Sequence, residues 1–331
     1  MTLSGSEGFP EAVCPVDHAP LTAQGADALV CPKGHRYAIR KDIPRLLAPE
    51  RNYAEAFGAQ WQLYRTTQLD SYTKTTLSKD RMRRCIGEDL WRKLEQPGNR
   101  IEILEAGCGA GRFSEVIMTL PGASLTSTDL SSAVEPNQVN CPQSDRHRII
   151  QCDILQFPFK PRQYDIVLCL GVVQHTPSSE QTIASLYEQV KPGGWLVIDH
   201  YDRSFAAYTR FGDLLLRPIL KRMSPARGLA VTKALTRSLF PLHKAMRYFR
   251  PGQMVLSRFS PLLTYFHALP ELNDQLQYEW AELDTHDGLT DYFKHLRSAG
   301  EIRRALESLK SQNIWVAKGG NGIEARCQRP Q

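Results

Sequence analysis

Residues 101–111 read Ile-Glu-Ile-Leu-Glu-Ala-Gly-Cys-Gly-Ala-Gly, and no other stretch narrows the fold as much. An apolar run (Ile101, Ile103, Leu104) ends at an acid, Glu105, and glycines follow at 107, 109 and 111. A helical spacing of apolar residues begins at once with Phe113, Val116, Ile117 and Leu120. This pattern predicts a strand, a tight turn and a helix, the unit that holds an adenosine-containing cofactor at the mouth of a parallel sheet. Glycines let the backbone approach a ligand where a Cβ would collide. A dinucleotide fingerprint carries a small residue where this chain has Arg112, so the spacing here is G-x-G-x-G with an acid two residues ahead.

Further landmarks follow in order. Residues 125–130 read as a second strand ending in Asp129, which lies 24 residues after Glu105, where a ribose-binding carboxylate is expected. A third strand over 147–152 ends at Asp153 and Ile154. Residues 164–171 are continuously apolar apart from Asp165, as a strand covered on both faces should be. A loop, Val-Val-Gln-His-Thr-Pro, follows to Pro177, then an amphipathic helix over 178–190. Lys191–Gly194 break the chain ahead of a fifth strand, Trp195–Ile198.

Motif by motif, residues 100–200 resemble the class I S-adenosylmethionine (SAM) methyltransferases, in particular the group with a His-Thr-Pro loop after the fourth strand. The resemblance implies an α/β, Rossmann-like fold: a mostly parallel seven-stranded sheet with helices on both faces. It implies SAM as cofactor, with Gly107, Gly109 and Gly111 against its methionine end and Asp129, followed by Leu130, at the ribose. Asp153 would receive the adenine amino group, with Ile154 against the ring, and Leu170 and Gly171 would lie near the sulfur. Glu105 helps hold SAM in the family; its alternative is to cap the turn through backbone amides. Cys108, between glycines, reads as a small filler. The implied reaction is methylation of a small-molecule, lipid or glycan acceptor, at oxygen.

For a hydroxyl acceptor a base is needed, and His175 is the first candidate, since histidine titrates in the useful range. It could instead orient its loop or contact the cofactor. His286 and Asp287 are the second choice, in a stretch that otherwise reads as a loop capping a helix near Thr290.

Two pentads share C-P-x-x-H at the front of the chain: residues 14–18 and 31–35. Two thiolates and two imidazoles, Cys14, His18, Cys31 and His35, suit tetrahedral zinc. The stretch resembles the zinc ribbon at the start of some ribosomal-RNA guanine methyltransferases, where a second cysteine stands at the position of Asp17. The fourth ligand is therefore Asp17 or His18, or the ribbon is a degenerate one that no longer binds metal; a metal held here would be structural. The remaining cysteines are scattered, which fits reduced thiols in a cytoplasmic protein better than a disulfide framework. The Gly/Ser-rich start lacks the basic segment and apolar core of a signal peptide.

These readings divide the chain into a zinc-ribbon-like module (1–48), a helical extension or lid (49–98), a SAM-binding core (99–200), a helical insertion (201–280) and a closing helix and hairpin (281–331). In the extension, Tyr53, Phe57, Trp61 and Tyr64 mark one aromatic helix face, with Gln60, Trp61 and Tyr64 as lid candidates. Lys79, Arg81, Arg83 and Arg84 read as a solvated basic face. The closing helix is expected over 290–310, and the hairpin as 313–318 and 323–327 across Gly-Gly-Asn-Gly.

The insertion carries the basic character. Residues 203–250 hold eleven Lys/Arg and one Asp, net +10, against +6 for the whole chain. This charge admits a membrane-surface contact, making the protein peripheral to a membrane, an anionic or RNA acceptor, or a solvated outer face. The runner-up function is RNA base methylation; a third is a non-catalytic SAM-fold module. No Asn/Asp-Pro-Pro-Tyr loop follows the fourth strand, which argues against methylation of an exocyclic base amine.

Overall fold

The computed structural model describes residues 9–48, 54–204 and 209–331. Tyr53 of the expected aromatic face lies outside them. Among the described residues, the strands are β1 (Thr22–Gln24), β2 (Ala28–Val30), β3 (Arg36–Arg40), β4 (Ile43–Leu46), β5 (Ile101–Ala106), β6 (Ala123–Asp129), β7 (His147–Cys152), β8 (Tyr164–Cys169), β9 (Val190–His200), β10 (Gln312–Gly319) and β11 (Gly322–Gln328).

They form one sheet in the order β1-β2-β3-β4-β7-β6-β5-β8-β9-β11-β10. From β7 to β9 the strands are parallel, and β11 pairs antiparallel with β9 and β10. Numbering the last seven strands from β5, the order is 3-2-1-4-5-7-6, with the seventh reversed. The chain reverses order between β5 and β8, so the mouth of the sheet at their carboxyl ends is where a ligand enters such a fold.

β5 and β8 are buried because both sheet faces are covered. On one face, Met82, Ile86, Trp91 and Leu94 of the helices Leu77–Ile86 and Glu88–Glu95 pack with Phe113, Val116 and Ile117 of helix Arg112–Met118. On the other, Ile183 and Leu186 of helix Ser179–Glu188 meet Ile302 and Leu306 of helix Ala299–Ser308. The N-terminal strands extend the seven-stranded unit: β4 pairs in parallel with β7 at Arg45↔Gln151 and Leu46↔Cys152. Leu29, Tyr37 and Leu46 join the second core. The front of the chain therefore continues the sheet and shares its core.

Several expectations need correction. The closing helix spans Ala299–Ser308, not 290–310. Ser298 and Glu301 form a capping box there, the strongest local start signal in the region. Residues 283–288 are not a loop; they lie inside helix Asp274–Thr290, which begins at the Asn273 cap and crosses the expected boundary at 280. The basic cluster is a solvated face only in part: Lys79 and Arg84 are exposed, whereas Arg81 turns inward. The Arg81 side chain is 13% exposed and bonds the fully buried Asp199, and Arg84, itself exposed, pairs with buried Glu324 at 2.6 Å. Arg83 pairs with exposed Glu88. All eight cysteines are free and buried.

Asp199 also accepts from the Gly171 amide at 2.6 Å, so Arg81 ties the N-terminal helices to the end of β8. Arg81→Met leaves this carboxylate buried without its cation, which typically costs about 3–5 kcal/mol. Urea denaturation should show a loss of that size; a change within error would mean the pair contributes nothing net.

Candidate functional site

The turn after β5 is held in a conformation that favours glycine. Gly107, Gly109 and Gly111 have φ of 79°, 51° and 98°. A Cβ on Gly107 would lie 2.3 Å from Val172 Cγ2, and one on Gly109 would lie 3.2 Å from the Trp61 indole. Trp61, from helix Glu55–Leu63, thus sits over the glycine turn, so that lid candidate borders the cleft. Gln60 is buried, and the Tyr64 hydroxyl donates to Glu282 instead. A Cβ on Gly171 would meet nothing within 4 Å, which leaves open space at the end of β8. Leu170 beside it is buried.

Behind the turn, Glu105 Oε2 accepts from Ser114 Oγ at 2.5 Å and Ser127 Oγ at 3.0 Å. Glu105 Oε1 is buried without a hydrogen-bond partner. Burial raises the Glu105 pKa to about 7, against the lowering effect of the two serines. Asp129 at the end of β6 accepts from the Gly109 amide at 2.9 Å and from the Ser131 amide and hydroxyl at 2.8 and 2.6 Å. Burial raises its pKa. Asp153 Oδ1 accepts from the Leu155 amide at 2.9 Å, and buried Ile154 accepts through its carbonyl from Ser185. Leu130 accepts through its carbonyl from Gln151. Burial pushes the Cys108 thiol well up, as a filler's would be. The positive-φ turn, the unpartnered Glu105 oxygen and the carboxylates at successive strand ends fit an adenosyl cofactor with a cationic methionine end.

His175 lies in a short 3₁₀ turn after β8 and meets groups that sequence reading did not connect to it. Its Nδ1 is 2.6 Å from Asp291 Oδ2, and Nε2 is 4.0 Å from Asp287 Oδ2. Phe57 and Tyr201 press edge-on against the ring, and Arg217 donates to the Asp291 carbonyl at 2.8 Å. Burial works against the imidazolium, but the Asp291 and Asp287 carboxylates outweigh it and raise the His175 pKa above 6.5. The two histidine candidates part here. Asp287 faces His175, whereas His286 points to Thr232 at 3.3 Å and burial lowers its pKa to about 4. Asp291 was missed because it falls where a helix was expected to run. Gln174 was missed too: it is fully buried and neither amide atom has a partner. Its place beside His175 is the sequence signal that pointed there.

At the front of the chain, Cys14 Sγ, Asp17 Oδ2, Cys31 Sγ and His35 Nδ1 lie within 4.8 Å of one another. The separations are 3.5 Å (Cys14–His35), 3.3 Å (Cys31–His35), 3.6 Å (Cys31–Asp17) and 3.5 Å (His35–Asp17). Zinc bonds of about 2.0–2.3 Å give tetrahedral edges of about 3.3–3.8 Å, so the donor set fits that ion. His18 is not in the cluster, which corrects the repeated-pentad reading. Its φ of 55° makes it the turning residue, and Asp17, held by the Ala19 amide at 3.0 Å, takes the inward position.

The Glu105 carboxyl binds its proton more tightly folded than unfolded. Its contribution to stability therefore falls as pH rises from its ordinary 4.5 to about 7, by on the order of 3 kcal/mol. Glu105→Gln should flatten that part of a melting-temperature profile; an unchanged slope would mean that other groups set it.

Residues 104–198 match the family model described as a methyltransferase domain. The ubiquinone biosynthesis O-methyltransferases of Pseudomonas savastanoi pv. phaseolicola and Pseudomonas syringae pv. syringae are each 33% identical over 111 residues, covering 32% of this chain and 47% of theirs. The chain spans about half the length of these curated relatives. An O-methyltransferase family protein from Burkholderia thailandensis aligns with 79% of this chain and 59% of its own at a TM-score of 0.47 and 11% identity. The strand order and the glycine turn agree with that match, so residues 104–198 carry a methyltransferase domain.

Proposed function

We propose that the chain transfers the methyl group of SAM to an oxygen of a small-molecule, lipid or glycan acceptor. The observation that carries this is His175, set between Asp291 and Asp287 just after β8. When bound, SAM supplies an activated methyl group for in-line displacement, so the protein's tasks are alignment, exclusion of water and proton removal. Gly107, Gly109 and Gly111 lay backbone against the methionine end, and Glu105 offers its open oxygen to the cationic group there. Asp129 accepts from the ribose hydroxyls, with Leu130 beside it. Asp153 and Ile154 receive the adenine, and Leu170 and Gly171 border the reacting centre.

Asp291 holds His175 by Nδ1, which leaves Nε2 to take the proton of an acceptor hydroxyl. The curated relatives are named as O-methyltransferases, which supports oxygen as the atom. At the N-terminal cluster we propose structural zinc held by Cys14, Asp17, Cys31 and His35. Four protein donors complete the tetrahedron and leave no open position for catalysis.

Asp129→Ala should weaken SAM binding at least tenfold in calorimetry, and wild-type affinity would remove the ribose assignment. His175→Ala should slow methyl transfer far more than it weakens SAM binding. The wild-type kcat/KM should rise with pH through a value above 6.5, the direction in which the two carboxylates move His175. A profile unchanged by the substitution would show that another group is the base. For the metal, Asp17→Ala should lose zinc in elemental analysis while His18→Ala keeps it; the reverse pattern would restore His18 as the ligand.

A further inference from the structure

Two helices of the insertion are inverted. Helix Phe211–Leu220 turns Phe211, Leu214, Leu215, Pro218 and Ile219 outward, with Leu215 73% exposed. Helix Arg250–Phe259 turns Pro251, Met254, Val255 and Phe259 outward, with Met254 66% and Phe259 65% exposed. Their buried sides carry little apolar surface: the first helix buries Leu220 beside the bare Gly212, and the second buries Gln253. Gln253 donates to Thr264 Oγ1 at 3.0 Å and meets His243, which in turn meets Ser260 at 2.8 Å. Gly212 lies on the Phe259–Pro261 backbone, where a Cβ would come within 2.5 Å. Arg217 reaches inward to the Asp291 carbonyl.

The two apolar faces are continuous, because Phe211 and Phe259 stack at 5.5 Å. Tyr248 (84% exposed) and Phe249 (59%) extend the patch at the start of the second helix. A soluble surface helix ordinarily buries its apolar stripe. A contiguous exposed patch of this kind marks an interaction site.

We propose that these two helices form a membrane-docking surface whose occupant is a bilayer face with anionic headgroups. Charge complementarity selects that occupant. Arg222 and Arg250 are exposed at the ends of the two helices, within a segment of net charge +10. Apolar side chains enter the acyl boundary while the cations meet headgroup phosphates, and tyrosine and phenylalanine sit at the interface between them. A symmetric second copy would set this basic rim against itself. No helix among the described residues is long and apolar enough to cross a membrane, so the contact lies along the surface.

The surface stands apart from the methyl-transfer reading; only delivery of a lipid-borne acceptor rests on it. Arg217, on the docking helix, lies 3.7 Å from the Asp291 oxygen that holds His175. Docking therefore sets that site beside the lipid boundary.

The test is flotation of the full chain with vesicles of phosphatidylcholine, with and without phosphatidylglycerol. The protein should float with the anionic vesicles, less with the neutral ones, and less as salt rises. Leu215→Glu with Met254→Glu, both at exposed positions, should cut the partition at least about tenfold. SAM affinity by calorimetry should stay unchanged, which separates failure of docking from failure of the cofactor reading. Absence of flotation overturns the proposal. So does a concentration-dependent dimer that the double variant abolishes, which would assign the patch to a second copy. RNA binding at physiological salt that the same variant removes, without flotation, would assign it to nucleic acid.

Discussion

The cofactor cleft hangs on one constraint, the left-handed turn between β5 and helix Arg112–Met118. Gly107 has no room for a Cβ against Val172, and Val172 belongs to the loop that carries His175. The Gly109 amide bonds Asp129 of the neighbouring strand, and Glu105 behind the turn is held by serines from that strand and the helix. The turn therefore sets the spacing of three strand ends at once. Asp199 does the same one strand further along, joining the Gly171 amide to Arg81 of the outer helices. Buried carboxylates, each with a partner on another element, fix the mouth of this sheet.

The insertion completes the other half of the site. Asp287 and Asp291 come from the end of helix Asp274–Thr290, and Arg217 of helix Phe211–Leu220 steadies Asp291. The catalytic histidine of the proposed reaction is thus positioned by a segment outside the matched domain. The same segment turns its apolar residues to the outside. In the proposed reading, recognition of the acceptor and attachment to a surface are built from one part of the chain and cofactor binding from another.

Most core strands were legible because each has a signal that survives without context: apolar continuity in β8, an acid at the end of β6, the glycine turn after β5. The exception is β9, which runs Val190–His200 through the expected break at Lys191–Gly194 with a register shift there. The hairpin was legible from its Gly-Gly-Asn-Gly stretch, although the two-residue loop is Gly320-Asn321 and not the Asn-Gly pair. What was not legible depends on distance along the chain. His175 and Asp291 are 116 residues apart, and Arg81 and Asp199 are 118 apart. No local periodicity reports such a pair, so Arg81 read as a surface charge. At the N-terminal cluster the repeated pentads favoured His18, but backbone conformation decides between neighbours, and the turn points Asp17 inward. The helix expected at 290 failed because the capping box at Ser298 outweighs the weaker apolar spacing before it.

The central claim is methyl transfer from SAM to an acceptor outside the nucleic acids, and its most direct test is to follow the methyl group itself. Purified protein, SAM labelled on its methyl carbon and a lysate of the source organism would be combined, then separated into RNA, protein, lipid-extractable and polar small-molecule fractions. The account predicts protein-dependent label in the lipid or small-molecule fraction, stable to RNase. Label confined to RNA would contradict it and make the basic insertion a nucleic-acid surface.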